Sequence, residues 1–112
     1  MVLWFPKSLY GVSGNHKTIV MKKTISFCFY ITPNQPIRLP ICFVKEKDIE
    51  LPVGTTFNPL KDLSFFNGGV VKNYSYYERD NELIMNVEAT IDENLVSMLE
   101  KHMELAGYER NM

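Results

Sequence analysis

The sequence predicts an α+β fold: a curled, mostly antiparallel sheet of about five or six strands with one C-terminal helix packed on it. Three observations lead there. Residues 24–31 alternate apolar and small or polar side chains, with Ile25, Phe27, Phe29 and Ile31 on one face and Ser26, Cys28 and Tyr30 on the other, which is the period of a half-buried strand. Residues 73–88 fold back on themselves around Asp80-Asn81, two residue types that tolerate positive φ. Directly after, Leu95, Met98, Leu99, His102 and Ala106 recur at helical spacing. Strands gathered first and a helix last is the order of an α+β domain, and connections of hairpin length are too short for parallel crossovers.

The elements follow in chain order. Residues 1–20 stand apart. Trp4, Phe5, Leu9 and Tyr10 show no period, and residues 11–15 are turn chemistry. Met21-Lys22-Lys23 resembles a chain start because strand pattern begins straight after it. Residues 1–20 are therefore expected to be an arm or extension, and residues 21–112 a single domain. After the first strand, residues 32–36 form a Pro-rich loop. Ile37, Leu39, Ile41 and Phe43 alternate again as a returning strand, with Ile31 opposite Ile37. Pro40 cannot donate to a ladder, so an edge or a bulge is expected there. In that register Cys28 and Cys42 lie on the non-core face, offset diagonally.

Ile49, Leu51 and Val53 predict a third short strand, continuing through Thr55-Thr56-Phe57 past a bulge. Asn58-Pro59 is a helix-start signal for a single turn. Leu63 to Phe66 is a short apolar run. Asn67-Gly68-Gly69 reads as the turn into the next hairpin. That hairpin pairs Tyr77 with Ile84, Tyr76 with Met85 and Tyr74 with Val87. Tyr74, Tyr76, Leu83, Met85 and Val87 collect on one face, and Asn73, Ser75, Asn86 and Glu88 on the other, a sorting that a one-residue slip would destroy. The helix starts at one of two caps: a capping box from Thr90 to Glu93, or Asp92 with an Ile91–Val96 staple. The second is preferred, since Asn94 offers no staple contact. Gly107 ends the helix as the left-handed residue, with Tyr108 folding back on the last turn. A helix of about 14 residues is marginal alone in water and must lie on the apolar face of the sheet.

Composition narrows the function classes. The chain has 112 residues, 46% of them apolar and 22% charged, with a formal charge of −1. That is ordinary for a globular domain. Lys and Arg are scattered, so nucleic acid is an unfavoured partner, lacking the basic stripe that phosphate binding uses. No apolar run reaches the length of a membrane span. Val2-Leu3-Trp4-Phe5 is too short for a signal-peptide core, so the expected compartment is cytoplasmic. In that compartment the two cysteines are expected reduced. They lack the spacing and partners of a zinc site.

His102 on the helix stripe and His16 in the arm have no placeable nucleophile or carboxylate partner. Glu78, Asp80, Glu82 and Glu88 cluster on the hairpin, where solvated charge is the plainer reading than paired acid–base work. The Asn67-Gly68-Gly69 turn could offer backbone donors to an anion, but no phosphate-loop lysine or following helix accompanies it. Outward tyrosines are common contact residues. The expected binding residues are accordingly Tyr30, Tyr77, Ile84 and Asn67, with no catalytic residue, no metal ligand and no cofactor. The outer side of the first hairpin (Ser26, Cys28, Tyr30, Cys42, Val44) is rather apolar for solvent, which suggests a second layer or a subunit contact.

The leading expectation is a non-catalytic small binding protein that acts stoichiometrically by protein–protein contact. A composition rich in Asn, Lys, Ile, Phe and Tyr, with three Arg, hints at an AT-rich genome and hence at a phage or mobile-element inhibitor of a host defence system. The alternatives are an oligomeric sequestering protein that binds a small nucleotide-like ligand between subunits, with Tyr30 or Tyr77 on the ring, and a small enzyme.

Overall fold

A computed structural model describes residues 21–33, 37–60 and 63–111. The expected arm at residues 1–20, with Trp4, Phe5 and His16, lies outside them, as do parts of two expected loops. The described chain forms strands β1 (Lys22–Thr32), β2 (Ile41–Glu46), β3 (Thr56–Phe57), β4 (Gly69–Tyr77) and β5 (Glu82–Asp92), helix α1 (Val96–Leu105) and strand β6 (Glu109–Asn111). The six strands make one curled sheet in the order β3-β4-β5-β1-β2-β6.

The α+β class and the mostly antiparallel sheet stand, with one correction. The central pair, β1 and β5, is parallel over its whole length, from Lys22 beside Glu82 to Thr32 beside Asp92. Hairpin-length connections could not make that pair, and the chain does not use one. It leaves β1 for β2 on one side, crosses to β3 and β4 on the other, and returns as β5. From β5 the helix crosses back to β6, which pairs with β2 and runs in the same direction as β1 and β5. Both crossings cover the same face of the sheet.

That face carries the core. Alternation on β1 drives Ile25, Phe27 and Phe29 into full burial, joined by Ile41 and Phe43 of β2, Val71 of β4 and Met85, Val87 and Ile91 of β5. Phe27 and Phe29 stack with centroids 4.6 Å apart, and Phe29 meets Phe43 edge-on at 5.9 Å. Fully burying each such ring contributes about 2–3 kcal/mol. The helix adds Leu99 and Met103, and the loops add Leu60 and Phe66, whose ring lies 5.5 Å from that of Phe29. Ile49 and Leu51 pack partly buried against this cluster. The Tyr74 hydroxyl holds Leu51 there, accepting from its amide at 2.7 Å and donating to its carbonyl. Gly69 is required by close approach: a Cβ there would lie 2.7 Å from both the Glu88 carbonyl oxygen and Cζ of Phe27.

The helix ends follow the sequence. Asp92 caps by accepting from the Asn94 amide at 2.8 Å, a 3-10 turn spans Glu93–Leu95, and Val96 opens the α-helix. At the other end Gly107 takes φ +92°, its amide bonds to the Glu104 carbonyl, and the Tyr108 amide bonds to the Met103 carbonyl. This is a Schellman motif, and it folds the Tyr108 ring into the core. Lys45 completes the end by donating to the Ala106 carbonyl at 2.7 Å, with its ammonium over the Tyr108 ring.

Several local expectations are corrected. The β4–β5 hairpin pairs Tyr77 with Glu82, Tyr76 with Leu83 and Tyr74 with Met85, two residues from the expected register. A 3-10 turn at Glu78–Asp80 followed by Asn81 at φ +49° makes a four-residue loop in place of a two-residue turn. A shift of two preserves the sorting of faces, so the sorting holds although the partners differ. A bulge falls between Val71 and Asn73, at Lys72. On β1–β2, Phe27 faces Phe43, and β2 begins only at Ile41. Ile37 and Leu39 precede it at 85% and 88% exposure, because Pro40 closes the ladder before them. Neither the edge nor the bulge expected at Pro40 is formed. Residues 49–53 are irregular, and Thr56–Phe57 alone forms β3. At Asn58 the side chain accepts from the Leu60 amide, a turn rather than a helix start. Residues 64–65 form a turn, and Asn67-Gly68 closes a long connection between β3 and β4 rather than a tight hairpin. Strand β6, Glu-Arg-Asn, was not expected.

Candidate binding face

The opposite face of the sheet is chemically distinct. Every buried apolar side chain of the sheet points to the core face; on the outer face only Thr24 is buried. The outer row across β4, β5, β1 and β2 is Asn73 and Ser75, Asn86 and Glu88, Ser26 and Cys28, then Cys42 and Val44. The Asn86 amide donates to Asn73 Oδ1 at 2.8 Å and to Ser75 Oγ at 3.1 Å, tying β4 to β5. Cys28 and Cys42 face each other directly and are joined by a disulfide, in place of the expected diagonal, reduced pair. The centre of the face is therefore made mostly of small side chains and is cross-linked, with Glu88 on β5 beside Cys28.

Charge and aromatic rings lie at its two ends. At one end the Thr24 hydroxyl donates to Glu82 Oε2 at 2.6 Å, with the Lys22 ammonium 3.9 Å away. Thr24, Val44, Glu82, Ile84 and Glu109 line a depression of about 350 Å³ there. At the other end Tyr30, Glu88, Val70, Lys72 and the Gly68-Gly69 backbone line one of about 340 Å³.

The expected binding residues divide between these ends. Tyr30, Tyr77 and Ile84 all lie on the outer face, and Tyr30 and Tyr77 are 42% and 52% exposed. Ile84 is level with Thr24 on β1, and Tyr30 is six residues further along. At ~3.3 Å per residue that is about 20 Å, so Tyr30 and Ile84 do not share a pocket. Tyr77 sits with Ile84 near the hairpin. Asn67 is exposed and adjoins the Gly68-Gly69 wall of the Tyr30 depression. Of the other residues in this depression, the sequence weighed Glu88 only within a hairpin carboxylate cluster and did not single out Lys72. The signal for Lys72 was absent, because a bulge is invisible in an alternating pattern.

Among the described residues, those weighed for acid–base chemistry lie apart. Glu82 and Glu88 are six residues apart on one strand, again about 20 Å. Glu78 and Asp80 lie exposed in the hairpin loop. His102 belongs to the helix, on the other side of the sheet. Among the described residues no group of three or more His, Cys, Asp or Glu is placed to hold a metal ion. No described helix is long and apolar enough to cross a membrane. No protein-family model, curated protein or solved structure matches this chain.

Proposed function

We propose that the protein is a small non-catalytic binding protein that acts stoichiometrically, with another protein docking on the outer face of the sheet. The observation that carries this reading is the contrast within one sheet. The outer face has a cross-linked centre made mostly of small side chains, with exposed Tyr30 and Tyr77 at its ends, and no described element buries it. An uncovered strand surface bearing tyrosines suits protein contact, where aromatic residues are enriched. Inhibition of a host protein by a phage or mobile element is one task that such a surface serves.

The test is affinity capture with the wild-type chain, with Tyr30→Ser/Tyr77→Ser, and with Met98→Ser on the exposed helix face. The expected result is one protein recovered at fixed stoichiometry by wild type and Met98→Ser and lost with the double tyrosine variant. Recovery unchanged by the tyrosine variant, or turnover of a substrate by the purified chain, would overturn the reading.

A further inference from the structure

The depression at the Tyr30 end holds two opposite charges that do not pair with each other. Glu88 is partly buried, and among the described residues its side chain accepts one hydrogen bond, from the Tyr30 hydroxyl at 3.4 Å, long for an O–H···O bond. Lys72 makes no ion pair among the described residues. Both line the same depression. The bulge brings this about: the register shift between Val71 and Asn73 inserts Lys72 into β4 and lets it join Val70 and Glu88 at the depression.

The order across the sheet is fixed by the strands. Tyr30 is on β1, Glu88 on the adjoining β5, and Val70 and Lys72 on β4 beyond it. A molecule lying across the strands meets an aromatic ring, then a carboxylate, then an ammonium group. Gly68 and Gly69 contribute backbone without side chains, which leaves the seat open on one side.

We infer that this depression is a seat for a small zwitterion bearing a flat ring, the chemical class of a free aromatic amino acid. The ligand ring packs on Tyr30, its ammonium group donates to Glu88, and its carboxylate meets Lys72. Both signs are needed. A plain anion would meet Glu88 as a like charge, and a plain cation would meet Lys72. A nucleotide brings a ring but also the multiple negative charge of its phosphate, to a seat whose own charges cancel. A volume of about 340 Å³ falls in the range of small-ligand sites. This seat occupies one end of the outer face and does not depend on the protein-docking reading.

The experiment is calorimetric titration of the full chain with tryptophan, N-acetyltryptophan, tryptophan amide, alanine and guanosine monophosphate. Saturable binding of tryptophan is expected, weaker by about tenfold or more when either head group is blocked. Alanine should bind too weakly to measure. Glu88→Gln and Lys72→Met should each cost a similar factor, and Met98→Ser, on the exposed face of the helix, should change nothing. The blocked ligands test the inference on the wild-type chain, so a misfolded variant cannot obscure it. It is overturned by absence of tryptophan binding at millimolar concentration, by equal binding of the blocked forms, or by a nucleotide that binds more tightly than the amino acid.

Discussion

On β1, Phe27 and Cys28 are neighbours in sequence and lie on opposite faces of the sheet. Phe27 touches the rings of Phe29, Phe57 and Phe66 and is wholly buried; Cys28 is only partly covered and is tied to Cys42. The same strand thus holds the fold with one row of side chains and presents the other row outward. The core face gains its stability from burial. The outer face is tied across its strands by a covalent link and by the Asn86 amide, which donates to Asn73 and Ser75. The pleat puts the buried rings on one side and the outward row on the other, so side-chain truncations on the two sides should behave differently.

The largest effect belongs to the core. Phe27→Ala should cost about 3–5 kcal/mol, read from the denaturant midpoint, because the cavity is walled by three rings and a glycine backbone that cannot close on it. A loss below 1 kcal/mol would break the contrast. Next is the outer-face disulfide. Cys28→Ser/Cys42→Ser should cost about 3 kcal/mol, the value for a loop of this span. The same measurement under reducing conditions should bring the wild type down to the variant. Gly69→Ala comes third, at about 1–3 kcal/mol, since the new methyl group would meet a backbone carbonyl and a packed ring.

A pH effect is smaller. Burial pushes the Tyr108 phenol up to about 12 from an ordinary value near 10. A raised folded-state value means that the stability it carries is complete below about pH 10 and is lost as pH rises through about 12. Ultraviolet titration should show one tyrosine ionising late, absent in Tyr108→Phe, whose stability should fall less over that window. Smallest are the outer tyrosines. Tyr30→Ser and Tyr77→Ser should each shift stability by no more than about 0.5 kcal/mol.

Much of this division could be read from the sequence. Alternation along residues 24–31 and 83–87 assigned Phe27, Phe29, Met85 and Val87 to the core, and Asp92 and Gly107 marked the helix ends by their capping chemistry. Tyr30, Tyr77 and Ile84 were assigned to the outward row by the same parity. Pairing was not legible, because a period of two is unchanged by a slip of two. Both hairpins slipped by that amount, which turned a diagonal cysteine pair into a facing one. The parallel β1–β5 pair was hidden because it joins segments far apart in the chain, and it sets the distance between Tyr30 and Ile84. Strand β6 carries no apolar alternation in Glu109, Arg110 and Asn111; it forms because the Schellman turn delivers the chain to the open edge of β2.

The proposed docking of a partner protein on the outer face can be tested directly. Native mass spectrometry of the chain purified from the cells that produce it, wild type beside Tyr30→Ser/Tyr77→Ser, tests this most directly. The expected result is a second protein at fixed stoichiometry on the wild type and a chain without it for the variant. The same complex retained by both, or no added protein on either, would contradict it.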